Sequence, residues 1–110
     1  MNAVSRRERI EAMLANDPAD AMLRYMLAME LDKAAEHDRS LELFAGLMAD
    51  SSPHVPAFLM AGQQLVQLGR TEEARAALRE GIEVARTQGD SHAAGEMAEF
   101  LAQLGSEGEA

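Results

Sequence analysis

The chain has 110 residues, enough for one domain or a short array of repeats, and with 47% apolar residues it can bury a core without cross-links. It contains no cysteine, which excludes disulfides and thiolate zinc sites. With 19 acidic against 10 basic residues the formal charge is −9, which repels a phosphate backbone, so nucleic acid is not an expected partner.

The first segment, MNAVSRRERIEAML, sets arginines and glutamates where a signal peptide needs an unbroken apolar stretch. No apolar run approaches the roughly 20 residues of a membrane span. The expected location is therefore the cytoplasm, with no membrane partner. Abundant alanine and an aromatic content of only 4% fit an all-α protein packed through small residues. Nine arginines against one lysine fit a bacterial genome rich in G and C.

Residues 4–16 form the first expected helix, with Ile10, Met13 and Leu14 at helical spacing. NDPAD then offers Asp17 as an N-cap and Pro18 as the first residue of a second helix. Over 19–34 that helix is apolar around most of its circumference, as an element touched from several sides must be. The pattern pauses at His37–Asp38 and resumes with Leu41, Leu43, Phe44, Leu47 and Met48 until SSPHVP at 51–56, where prolines and serines impose a break. A fourth helix covers 55–68 and closes at Gly69. Thr71 is the expected cap of a fifth helix running to about Gln88, with Glu72 and Glu73 in its first turn, toward the positive end of the helix dipole. The tight stop and start at Gly69–Thr71 makes the fourth and fifth helices an antiparallel hairpin. GDS repeats the device, a sixth helix follows over about 91–104, and 106–110 is expected to be a flexible polar tail.

A shift of 34 residues aligns Ile10 with Phe44 and Leu78, Leu27 with Ala61, Ala28 with Gly62, Leu31 with Leu65, Ala35 with Gly69, and Ser40 with Ala74. Two helices per period, with small residues at fixed places, are the signature of the tetratricopeptide repeat. FLMAGQQLVQLGRTEEARAALREGI resembles that family through Phe58, Ala61–Gly62, Leu65, Gly69, Ala74, Leu78 and Gly81. In the preceding repeat Arg24 stands at the leading aromatic and Ser40 at the alanine.

The resemblance implies a single domain over 1–105: a half-repeat helix at 4–16, repeats at 19–52 and 55–88, and a capping helix at 90–104. It implies about six helices in a right-handed superhelix of antiparallel hairpins. Leu27, Ala28, Leu31, Phe44, Phe58, Gly62, Leu65, Ala74, Leu78 and Gly81 are then packing residues. The capping helix sets His92, Glu96, Glu99 and Gln103 on one face and Ala93, Met97, Leu101 and Leu104 on the other. A polar outer stripe is what an array terminus needs.

Catalytic and metal chemistry find little support. Asp90, Ser91 and His92 are adjacent, and a cap is the favoured role for this cluster. His92 and Glu96 lie one turn apart, but His37 and His54 sit in unrelated segments, so no metal site and no cofactor are expected. No glycine-rich phosphate loop follows a strand, and an enzyme is not expected. Arg75, Arg79 and Arg86 share a side of the fifth helix and could meet an acidic ligand, although a solvated face alternating with Glu80 and Glu83 is favoured. Met26 and Met48 are assigned to the core.

What the resemblance implies is a protein-interaction module, an adaptor or scaffold that takes a protein or peptide segment in a concave groove. Its lining would be Met22, Tyr25, Met29, Asp32 and Lys33 from the first repeat, Leu59, Gln63, Val66 and Gln67 from the second, and Met97 from the cap. Some members clamp a carboxyl terminus with lysines and asparagines; here Tyr25, Met29, Leu59 and Gln63 take those places. The alternative is a homodimer that covers the apolar groove with a second copy.

Overall fold

The computed structural model describes residues 4–108, with side chains to Gly105. Among the described residues there are six α-helices and no strand: α1 (Arg6–Asn16), α2 (Ala21–Lys33), α3 (His37–Ala49), α4 (Val55–Gln67), α5 (Thr71–Thr87) and α6 (Ser91–Gly108). None is long and apolar enough to cross a membrane. The chain divides into two compact units, Met1–Ser52 and Pro53–Ala110, with the boundary inside the segment 51–56 that carries the serines and prolines.

In the first unit α2 packs against both α1 and α3. Ile10, Leu27 and Leu31 form a buried cluster, with Leu14, Met26 and Leu43 packed around it. Between α2 and α3 the buried Ser40 hydroxyl donates to the Ala28 carbonyl at 2.6 Å. Serine is thus accommodated where the second unit carries Ala74, because a small side chain whose hydroxyl finds an acceptor loses nothing by burial. Arg24 stands where the second unit buries Phe58. Its Nη2 lies 2.5 Å from Asp50 Oδ2 and 3.2 Å from the Ala19 carbonyl, tying the start of α2 to the end of α3.

In the second unit α5 packs against α4 and α6. Phe58, Ala61, Leu65, Ala74, Leu78 and Ile82 make the interior, with Gly62 set against Leu78 and Gly81 against Phe58 and Met97. All the packing residues named above, Leu27 through Gly81, are buried. Met26 and Met48 are half-buried at the margin of the core. Gln88 Nε2 donates to the Pro53 carbonyl at 2.8 Å, closing the base of the α4–α5 hairpin.

One backbone device ends α2, α4 and α5. Ala35, Gly69 and Gly89 have φ of +61°, +78° and +78°. The next amide in each case reaches back to the carbonyl of Leu31, Leu65 or Ala85, at 2.8–2.9 Å. This doubly bonded left-handed stop satisfies carbonyls that the helix leaves open. At Gly69 it needs no Cβ; at Ala35 it is held against one.

Helix starts differ from expectation. Asp17 does not cap α2, because its amide is still bonded to the Met13 and Leu14 carbonyls and so terminates α1. The cap is Asp20, whose carboxylate accepts the Leu23 amide at 2.8 Å. Thr71 is the first residue of α5 rather than its cap; Arg70 precedes it, with no side-chain cap bond. The Arg70 amide is spent on Leu65, so the chain passes from the left-handed stop directly into the helix. The serines before α4 do not cap it either; His54 holds that place, again without a side-chain cap bond. Asp90 caps α6 through the Ala93 amide at 3.0 Å. That helix continues to Gly108, beyond the expected stop at Leu104, and Glu109 and Ala110 lie outside the described residues.

Candidate functional site

Burial separates the expected groove residues. On α2, Met22 is 56% exposed and Lys33 is exposed, while Tyr25, Met29 and Asp32 are half-buried. The Tyr25 ring meets Phe44 edge-on, with centroids 5.9 Å apart, and burial raises the pKa of its hydroxyl. Asp32 Oδ1 lies 3.1 Å from His37 Nδ1, and Lys33 pairs with Glu30 at 3.3 Å. On α4, Gln63 and Gln67 are exposed and Leu59 and Val66 half-buried.

Met97 is a correction. It is 1% exposed, and its sulfur fills the space beside Gly81 against Phe58. Gly81 has no side chain to hold α6 away, so the thioether packs inward and no ligand reaches it.

The second unit carries a hollow of about 220 Å³ between α4 and α6. Leu59 and Phe100 line it with apolar side chains, and Gln63, Glu96, Glu99 and Gln103 with polar ones. The repeat pattern points to Leu59 and Gln63, sets Glu96, Glu99 and Gln103 on the polar stripe of the cap, and gives Phe100 no role. The available signal was an aromatic ring one turn after Glu96, beside an otherwise polar stripe. His92 Nε2 sits 3.4 Å from Glu96, an exposed one-turn pair on the same helix. Among the described residues no group of three or more His, Asp or Glu side chains is placed to hold a metal ion.

The arginines of α5 do not make one recess. Arg75 pairs with Glu72 and donates to the Leu104 carbonyl at 3.0 Å, fastening α5 to α6, and Arg86 pairs with Glu83 at 2.9 Å. In the first unit the Arg7 and Arg39 guanidiniums converge on Glu36, and the Arg7 hydrogen bond holds its carboxyl below the usual carboxylate range.

The fold is similar to the solution structure of protein BPP2914 from Bordetella parapertussis. The two sequences are 30% identical over 97% of this chain and 91% of that one, with a TM-score of 0.77. The two chains belong to one family. No family model matches the chain, and no curated protein does. BPP2914 shares with this chain its helical architecture.

Proposed function

We propose that the chain is a non-enzymatic binding module made of tetratricopeptide-type hairpins, which holds a protein segment against the open sides of its hairpins. The observation that carries this reading is the hollow between α4 and α6. Two apolar side chains beside two carboxylates suit a helical or extended segment that presents an apolar side chain flanked by lysine or arginine. Met22 and Tyr25 on α2 offer the first unit a second apolar contact surface. The tetratricopeptide assignment is supported by buried small residues at the repeat positions and by left-handed stops at Ala35 and Gly69, which the repeat interval aligns.

The test is fluorescence anisotropy with labelled peptides that carry one phenylalanine or leucine anchor between basic residues, compared with the same anchor between acidic residues. The basic set is expected to bind. Leu59→Asp is expected to weaken that binding at least about tenfold, or about 1.4 kcal/mol, with the far-ultraviolet circular dichroism unchanged. Equal binding of both peptide sets, or binding indifferent to Leu59→Asp, overturns the reading.

A further inference from the structure

From the chemistry of two surfaces, one on each unit, we infer that the α4–α6 hollow of one copy of this chain receives the exposed Arg9–Met13 edge of α1 from a second copy, giving heterologous self-association. The inference rests on the reading of that hollow as a docking site for an apolar and basic segment, and names the segment.

Helix α1 has that chemistry. Arg6, Arg9 and Met13 stand at i, i+3 and i+7, on one face of the helix. With Ile10, Ala12 and Met26 they border an apolar hollow of about 380 Å³. Met13 is 48% exposed, an unbranched apolar side chain able to fit an irregular surface. Arg7, Arg24, Arg39 and Lys33 are occupied by carboxylates of their own unit, and Arg6 reaches Glu30 at 3.0 Å. Among the described residues of this unit, Arg9 alone of the cations has no ion-pair partner.

The other unit presents the complement. Leu59 and Phe100 are apolar side chains that Met13 can meet, and Glu96 and Glu99 line the same hollow. Glu99 is exposed and, among the described residues, has no ion-pair partner. The pairing is thus apolar to apolar and guanidinium to carboxylate. A second copy is the occupant because the chain carries both members of the match. Since every copy offers both faces, the contact is heterologous and propagates unless it closes into a ring.

The test is sedimentation velocity of the full chain from about 10 µM to about 1 mM. The weight-average mass is expected to rise with concentration. Arg9→Glu and Glu99→Arg, both at exposed positions, are each expected to weaken association at least about tenfold with unchanged helicity. An equimolar mixture of the two is expected to restore it, because each variant then finds the charge it lacks. Arg9→Glu makes the chain more acidic and Glu99→Arg less so, so a general charge repulsion would move the two variants in opposite directions. That outcome, a monomer throughout the range, or association indifferent to both reversals would overturn the inference. Basic peptides binding to a chain that stays monomeric would leave the proposed function standing and remove only this contact.

Discussion

Replacing Gly81 with alanine sets two effects of opposite sign against each other, and the geometry decides between them. In a helix interior alanine is favoured over glycine by about 0.8–1.0 kcal/mol. At Gly81, however, a Cβ falls 2.5 Å from the Cβ of Phe58, 2.6 Å from the Met97 sulfur and 2.9 Å from the Phe58 Cγ. Carbon atoms pack at about 3.5–4.0 Å, so α4 and α5 must separate by about 1 Å. The Phe58 Cβ is fixed to its backbone and cannot rotate away, and both Phe58 and Met97 are buried. Overpacking of this kind costs about 1–3 kcal/mol and here affects two neighbours, which places it at the upper end and leaves a net loss of about 1–2 kcal/mol. Thermal melts followed at the helical circular dichroism band should show a fall of about 5–15 °C. Gly95→Ala is the control: nothing lies within 4 Å of its Cβ position, so only the propensity gain remains and Tm should rise by about 4–8 °C. Gly62→Ala falls between them, since the nearest atoms, at 3.0 and 3.1 Å, belong to the Leu78 side chain, which can turn. A Gly81→Ala protein melting at or above wild type, or a Gly95→Ala protein losing as much, would refute the reasoning.

Two further outcomes follow from single residues. Ala35→Gly removes a left-handed conformation that costs an L-residue about 1–2 kcal/mol, against about 0.5–1 kcal/mol of added unfolded-state freedom. A small net gain in denaturation midpoint is expected, and a loss would show that the strain at φ +61° is absent. The depressed Glu36 carboxyl binds its proton less readily folded than unfolded, so its contribution is complete above the unfolded pKa and disappears as pH falls through the lower folded one. Melts of wild type and Glu36→Gln should therefore differ at pH 7, and the gap should begin to close as pH falls below about 4.3, the ordinary glutamate value, and keep closing toward the lower folded one; a gap that stays constant down to pH 3 would sink the assignment.

What was readable in the sequence was whatever depends on local chemistry or on the repeat. Gly69 and Gly89 mark left-handed stops because glycine adopts positive φ freely. Ala35 was found in register with Gly69, but an alanine carries no sign that the backbone turns left there. Ala28, Gly62 and Ala74 announced close helix crossings by their size. Helix starts were harder, since Asp17 and Asp20 flank the same proline and only the direction of the Asp17 amide separates them. Arg24 was legible as a departure and not as a clamp, because its partner, Asp50, is 26 residues away. Met97 sits at a position the resemblance assigned to a groove, but the vacancy at Gly81 draws it inward. Phe100 escaped notice because periodicity weighs faces of a helix, whereas a hollow is set by what the neighbouring helix leaves uncovered.

The edge-on contact of Tyr25 with Phe44 has a practical consequence. The chain has no tryptophan and one tyrosine, so its intrinsic fluorophore belongs wholly to the first unit. Far-ultraviolet dichroism samples helices in both units. Recorded on one sample, the two signals form a built-in pair of reporters: superimposed curves mean that the halves unfold as one cooperative body, and displaced curves mean that each half has its own transition.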